Sequence, residues 1–351
     1  DGFDAIAIAS VLPALFAAWK LTPADAGFLV SSAQVGQLIG AIFFGWLADR
    51  VGRLQALTWS VALFSVACLA CGFAQDYNQL VAFRFIEGLG LGGEVPVAAA
   101  YISEMARAKG RGPFFLLYET IFAVGLLLAS ISGAFLVPRY GWQIMFFIGA
   151  APALLAVVFR ALLPESARWL ADKGRHAEAD TVMKSIEAQA RAAGHDLPPP
   201  QVAAAAATAG AKGSFAELFS ETYKWRTLGV WAFWFCNYYV SYGVSIWLPT
   251  YYRTTFKLDL STALWYSTAA SLVGLIGAIT VSFVVDYVGR RNWFIMAFTM
   301  ASIPMFVLWW TGVPSAEFVL VVTSLAYFFI SSVSLMVYLY TAEIYPTRLD
   351  R

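Results

Sequence analysis

The sequence predicts an all-α membrane protein built as two six-helix pseudo-repeats, with ten of those helices in this chain. Three observations lead there: a composition too apolar for water, ten helix-length apolar stretches, and an internal repeat. Of the 351 residues, 60% are hydrophobic and only 13% are charged. A soluble domain carries about 25% charged residues, so there is too little polar surface here to cover a globule in water. The net charge of +1 lacks the basic excess of a nucleic-acid binder. The three cysteines, Cys68, Cys71 and Cys236, lie in apolar stretches and form no disulfide or zinc pattern. They are read as small packing residues.

A bilayer core about 30 Å thick needs about 20 apolar residues in a helix. Stretches that meet this are 1–19, 27–48, 55–74, 79–103, 113–137, 142–163, 227–250, 262–285, 292–312 and 317–342. Backbone polar groups must be paired inside lipid, so each is a helix. Lys and Arg set the orientation. With the loop after the second span on the cytoplasmic side, 17 Lys/Arg fall on that side and 4 on the other. Arg160 can snorkel from the sixth span, and Arg84 alone is left deep in the membrane.

Residues 164–226 interrupt the spans as a polar cytoplasmic segment. Within it, 166–193 reads as one or two amphipathic helices. Residues 194–213, with Pro198-Pro199-Pro200 and an alanine run, read as a flexible linker, and 214–224 as a short amphipathic helix. The segment divides the chain into an N-terminal six-helix bundle (1–163) and a C-terminal bundle (227–351) with four spans.

A repeat crosses that divide. Gly45-Trp-Leu-Ala-Asp49-Arg50-Val-Gly52-Arg53 is echoed by Ser282-Phe-Val-Val-Asp286-Tyr-Val-Gly289-Arg290-Arg291, an offset of 237 residues from Asp49 to Asp286. Tyr101-Ile-Ser-Glu104 is echoed by Tyr340-Thr-Ala-Glu343, an offset of 239. Two echoes at nearly one offset imply two parallel halves, the arrangement of a transporter built from internal repeats. The second half is then expected to lack its last two helices.

These motifs resemble those of the major facilitator superfamily. The loop at 45–53 resembles its GxLxDRxGR signature. Arg84-Phe-Ile-Glu-Gly88-Leu-Gly90-Leu-Gly92-Gly93-Glu94 is similar to the fourth-helix pattern of the sugar-porter and organic-ion branches. Pro164-Glu165-Ser166-Ala167-Arg168-Trp169-Leu170 resembles PESPRWL, with Ala167 replacing a proline. Glu343-Ile-Tyr-Pro346-Thr-Arg348 resembles ExxPTR. Arg111 stands seven residues after Glu104, whereas Asp350 stands seven after Glu343. Asp1-Gly2-Phe3-Asp4 resembles the DGxD element of aromatic-acid:proton symporters, and the run from Leu91 through Glu104 resembles bacterial nicotinate-type transporters.

The resemblance implies a single-chain, multi-pass carrier of the inner (plasma) membrane that uses protons and a small-molecule substrate, with no enzyme activity, no cofactor, no metal and no nucleic-acid partner. It also implies that helices 1, 4, 7 and 10 line the central cavity.

Ionisable groups within the bilayer are costly and mark function. Asp4 and Arg84 are the sharpest pair, and the resemblance to proton-coupled sugar porters implies that these positions can form a coupling ion pair, with Asp1 a weaker candidate. Burial opposes the charge on an aspartate and a nearby arginine favours it, so a site balanced between the two can load and release a proton. A static salt bridge is the plain alternative. Substrate-binding candidates are Glu94 on helix 4, Tyr118 and Glu119 on helix 5 and Tyr238 on the aromatic helix 7; the resemblance to sugar porters implies that Asn237 and Tyr242 of helix 7 and Tyr338 of helix 10 match substrate-contact positions. Glu87 is a lesser candidate on the face of Glu94. An aromatic cavity with few amides suits a flat ring better than a sugar.

Asp49, Arg50, Arg53, Glu104 and Arg111 are expected to form a cytoplasmic charge network holding the halves together, braced by Glu165 and Arg168 and mirrored by Asp286, Arg290, Glu343 and Arg348. The glycines at 88–93 lie inside a membrane helix with no GK[ST] following, so ATP-driven transport is not expected. The leading reading is proton symport of a small aromatic or heteroaromatic carboxylate, resembling nicotinate or benzoate, by alternating access. An organic-cation carrier, a sugar porter and a non-transporting receptor or scaffold stand beside it.

Overall fold

The computed structural model describes residues 2–105, 111–151, 158, 162–192, 194 and 215–344. Among them are twelve α-helices, numbered here in chain order, and one short 3-10 helix. They are α1 (Gly2–Trp19), α2 (Pro23–Val51), α3 (Arg53–Gly72), α4 (Tyr77–Met105), α5 (Arg111–Tyr140), α6 (Gln143–Gly149), α7 (Ala167–Asp172), α8 (His176–Ala192), α9 (Lys224–Thr255), α10 (Leu260–Val288), α11 (Arg290–Thr311) and α12 (Ala316–Ile344). The 3-10 helix is Phe215–Phe219.

Among the described residues, eight helices are long and apolar enough to cross a membrane: α1 to α5 and α10 to α12. The sequence suggests ten. Of the two others, α9 is long enough at 32 residues. Its many Trp and Tyr residues lower its mean hydropathy. The span expected at 142–163 is described as a helix only over α6; 152–157 and 159–161 lie outside the described residues. The chain resolves into two compact units, residues 1–117 with 132–198, and residues 118–131 with 199–351.

Local chemistry sets the helix ends. Thr22 caps α2: its hydroxyl accepts from Asp25 N at 3.2 Å, and Asp25 Oδ2 accepts from Thr22 N at 2.9 Å. Pro23 opens the helix where its missing N–H costs nothing. This capping box begins α2 four residues before the expected span at 27–48. Asp259 caps α10, accepting from Thr262 N at 3.0 Å; those bonds from Thr262 hold its carboxyl below the usual range.

In the first unit, α2 and α4 meet backbone to backbone. A Cβ added at Gly36 or Gly40 would overlap the main chain of Phe85 or Leu89. One added at Gly88 or Gly92 would overlap Ala33 or Gln37. Small residues are what let helices approach closely in lipid, where no hydrophobic force drives them together. The glycine run of α4 is thus a packing surface. In the second unit, Gly277 of α10 meets the Phe328 backbone of α12 in the same manner. There Trp293, Phe294 and Ala297 of α11 pack with Val281, Val333 and Met336, and Trp293 Nε1 donates to Ser332 Oγ at 3.1 Å.

The polar segment expected on the cytoplasmic side forms two helices over the stretch read as one or two. Gly174, at φ +74°, breaks α7 from α8. Trp169 and Leu170 of α7 pack on Ala179 of α8. Just before α8, Arg175 donates to both oxygens of Glu178, at 2.7 and 2.6 Å, which holds the Glu178 carboxyl below its usual range. The expected helix at 214–224 is a shorter 3-10 turn, Phe215–Phe219. Of the expected linker at 194–213, residues 195–213 lie outside the described residues.

Candidate functional site

Three constellations carry charge or aromatic chemistry. The first lies inside the first unit, where α1, α3, α4 and α6 converge. Asp4 of α1 is 4% exposed, Glu87 of α4 is 2% and Arg84 of α4 is 6%. Arg84 NH1 donates to both carboxylate oxygens of Glu87, at 3.0 and 3.1 Å. Cys71 Sγ of α3 donates to Glu87 Oε2 at 3.2 Å. Cys68 Sγ donates to the Phe146 carbonyl at 3.2 Å. Oxygens of Asp4 and Glu87 and the Cys68 sulfur all lie within 4.8 Å of one another. Asp4 packs against Gly149 of α6, where a Cβ would overlap its carboxylate.

The expected Asp4–Arg84 pair is not the one formed. Arg84 takes Glu87, three residues along its own helix, where the geometry comes with the helix and no second helix must be positioned. Asp4 makes no hydrogen bond or ion pair among the described residues, and Arg84 Nε is buried without a partner. Cys68 and Cys71 are buried, as their apolar context suggests, yet both thiols donate hydrogen bonds in this cluster, whereas Cys236 on α9 is exposed rather than packed. Glu87 holds a larger place than its sequence reading assigns. The i, i+3 spacing of Arg84 and Glu87 was the signal available. Glu94, half-buried on α4, makes no hydrogen bond among the described residues but lies within electrostatic range of Asp4. Asp1 lies outside the described residues, as do the side chains of Tyr118 and Glu119.

The second constellation is in the second unit. Trp234, Tyr238 and Tyr242, spaced by four on α9, stack in a continuous strip. Ring centroids are 5.4 Å apart for the first pair and 5.5 Å for the second, at 3° and 24°. Three hydrogen bonds tie the same helix to α12: Trp234 Nε1 to Thr341 Oγ1 at 2.9 Å, Asn237 Nδ2 to Ser334 Oγ at 3.0 Å, and Ser245 Oγ with Tyr327 OH at 2.6 Å. Asn237, expected to face substrate, is 2% exposed and committed to α12. The Tyr338 side chain lies outside the described residues.

The third constellation is the motif loop. Arg53 pairs with Asp49 and with Glu104, the latter at 3.3 Å. Glu104 also accepts from the Ser166 hydroxyl. Glu165 caps the start of α3, its Oε1 accepting from Arg53 N at 2.9 Å, Leu54 N at 3.1 Å and Ser166 N at 2.9 Å. Trp169 Nε1 donates to the Asp49 carbonyl at 3.1 Å, and Tyr101 OH to the Pro164 carbonyl at 2.7 Å. The bonds described therefore tie α2, α3 and α4 to the polar segment around α7 in the same unit. Tyr101, Ser166 and Trp169 are members the sequence reading did not name for this role. Arg50 stands apart: its guanidinium lies 4.0 Å over the exposed Trp46 ring, a cation–π contact. Arg290, half-buried, opens α11 after Gly289. Arg348 and the side chains of Arg111, Asp286 and Glu343 lie outside the described residues.

Residues 15–349 match the family described as "Sugar (and other) transporter". The chain belongs to this family of the major facilitator superfamily. That family is one of multi-pass membrane transporters. Among curated relatives, it is 35% identical over 291 residues to the niacin transporter NiaP of Acinetobacter baylyi, covering 83% of this chain and 65% of that protein. It is 30% identical to the benzoate transport protein of Acinetobacter baylyi, covering 82% and 62%. It is 32% identical to the 4-hydroxybenzoate transporter PcaK of Pseudomonas putida, covering 82% and 63%. The chain thus spans under two thirds of these relatives' length. Its fold is that of the xylose transporter XylE from E. coli in a partially occluded inward-open form. The TM-score is 0.77 at 20% identity, over 98% of this chain and 82% of that one. The likeness to XylE concerns the fold alone.

Proposed function

We propose that this family member is a secondary carrier that moves a small aromatic or heteroaromatic carboxylate together with a proton, by alternating access. The observation that carries the reading is Asp4: a carboxylate 4% exposed, within a membrane helix, without an ion-pair partner among the described residues. A buried charge without a partner is costly, and one whose cost a proton removes is suited to coupling. The stacked Trp234, Tyr238 and Tyr242 strip supports the choice of solute, since a flat ring gains by stacking where a sugar has no face of that kind. The names of the relatives, transporters of niacin, benzoate and 4-hydroxybenzoate, point the same way.

The test is uptake of labelled nicotinate and benzoate into proteoliposomes, with and without an inward proton gradient, corrected for weak-acid leak through empty liposomes. Gradient-driven uptake that Asp4→Asn abolishes is expected. Gradient-driven uptake that survives Asp4→Asn would move the proton elsewhere, and no uptake of either acid would remove the solute class.

A second reading is favoured by one observation. Three acids, Asp4, Glu87 and Glu94, face one base, Arg84, among the described membrane-embedded groups of the first unit. That excess fits an organic cation. Competition by quaternary amines rather than by carboxylates is its signature.

A further inference from the structure

We infer that Glu87 is the positioning residue of the proton site: it holds Arg84 in an ion pair of its own, so that Arg84 is not paired with Asp4 and that carboxylate is left to take up a proton. The inference rests on the coupling role proposed above for Asp4 and adds a second carboxylate to it.

The geometry carries the argument. Arg84 gives one nitrogen to both oxygens of Glu87, and Cys71 adds a thiol donor to the same carboxylate. The guanidinium rests 5.9 Å from the Phe146 ring centroid on its other side. Asp4 reaches within 4.8 Å of Glu87 yet receives none of these donors. The charged groups acting on Asp4 are the amine that precedes α1 and Glu87, Glu94 and Arg84 of α4, with the Cys68 and Cys71 thiols of α3 beside them; Asp4, Arg84 and Glu87 form the trio within which charge is exchanged. Helix α6 contributes a carbonyl and a glycine backbone, and the charged residues of α2 lie near its ends.

The charge arithmetic follows. With Arg84 and Glu87 cancelling, the trio has one negative charge when Asp4 is bare and none when Asp4 holds a proton. A carrier with only an aspartate and an arginine would instead be neutral bare and positive when loaded. Glu87 therefore makes proton loading the step that removes repulsion toward an incoming carboxylate, so the proton enters first. The two carboxylates are close enough that one arginine can serve either. Moving Arg84 from Glu87 to Asp4 would expel the proton. The donor set of Asp4, Cys68 and Glu87 also has the spacing of a cation site, but Arg84 already fills the Glu87 oxygens.

The test reads Asp4 without any solute. The carbonyl stretch of protonated carboxyl groups is followed by infrared difference spectroscopy while the whole carrier, in lipid, is titrated with acid. The band missing from Asp4→Asn reports Asp4. In Glu87→Gln, Arg84 is released to Asp4, and the midpoint of that band is expected to fall by about one pH unit or more, as for a carboxylate newly paired with arginine. Glu87→Asp retains the charge on a shorter arm and is expected to fall between Glu87→Gln and the unmodified protein. It also stands in should Glu87→Gln not fold. A midpoint unmoved or raised in either variant overturns the inference. A titrating band that Asp4→Asn leaves intact overturns it together with the role of Asp4. If the band behaves as expected while neither acid is transported, the solute reading alone falls and the inference stands.

Discussion

At the junction of α2 and α3 a single glycine turns the chain. Gly52 sits at φ +117° and ψ 155°, a conformation nearly confined to glycine, and a Cβ there would overlap the Glu165 carboxylate. Its echo Gly289 makes the same one-residue turn, at φ +83°, between α10 and α11. The glycines of the repeat motif were visible in the sequence. That the first one also makes room for a carboxylate 113 positions away, from Gly52 to Glu165, was not, because only folding brings them together. Two substitutions separate these roles. Gly52→Ala should destabilise by about 1–3 kcal/mol through backbone strain, plus the displacement of Glu165. Glu165→Ala should cost about 1–3 kcal/mol by leaving three N–H groups without their acceptor. In the double variant the clash is gone, so the combined loss should fall short of the sum. Thermal unfolding of the four proteins in detergent measures this, and strict additivity would mean that Glu165 does not occupy the space at Gly52. Arg84 teaches the opposite lesson about legibility. Its depth was readable from hydropathy, but its choice between Asp4 and Glu87 depends on how helices are placed, which periodicity does not report.

The helices themselves were the most legible feature, since apolar length translates directly into a span. Their ends were less so: α2 begins at Pro23, where the Thr22 capping box holds it, and α9 runs from Lys224 to Thr255, past both ends of the span at 227–250. The glycines of α4 were conspicuous in the sequence, and the structure gives Gly88, Gly92 and Gly93 to α2 and Gly90 to Phe64 of α3. Gly88→Val should push α4 from the Ala33 carbonyl and cost about 1–3 kcal/mol or more by overpacking. Gly27→Ala, with nothing within 4 Å of the added carbon, should leave the melting temperature nearly unchanged. Equal effects of the two would argue that helix propensity, not the α2–α4 approach, sets these positions. On α9 the polar rungs and the aromatic strip answer different questions. Ser334→Ala removes the Asn237 acceptor, worth about 0.6 kcal/mol for a typical hydrogen bond between membrane helices, and should lower stability alone. Tyr238→Leu removes the middle ring of the strip. If a solute ring stacks there, its KM should rise about two- to thirteenfold, from 0.5–1.5 kcal/mol for an aromatic pair, with kcat nearly unchanged. A fall in stability with KM preserved would make the strip structural.

For the whole molecule the question is net charge moved per cycle. The two-halves reading came from motif echoes alone, and the shared glycine junctions of α2–α3 and α10–α11 repeat it in three dimensions. The solute was not legible to that depth. Among its described membrane-embedded groups the first unit offers three acids to one base, and the same groups suit a proton-carrying anion symporter or a cation carrier until their protonation is known. Membrane potential distinguishes them. One proton with one carboxylate anion moves no charge, so an inside-negative potential imposed at equal pH should leave uptake and accumulation unchanged. A cation crossing uncompensated gains about 2.3 kcal/mol per 100 mV, about fiftyfold in equilibrium accumulation at tenfold per 1.4 kcal/mol. The expected result in proteoliposomes with a potassium diffusion potential is uptake of labelled benzoate that follows the pH gradient and ignores the voltage. Asp4→Asn should retain voltage independence only by losing concentrative uptake altogether. A neutral Asn that needs no proton would otherwise leave the anion to cross alone, and the inside-negative potential would then oppose it. Uptake that grows with the potential would instead assign the acids of the first unit to a positively charged solute.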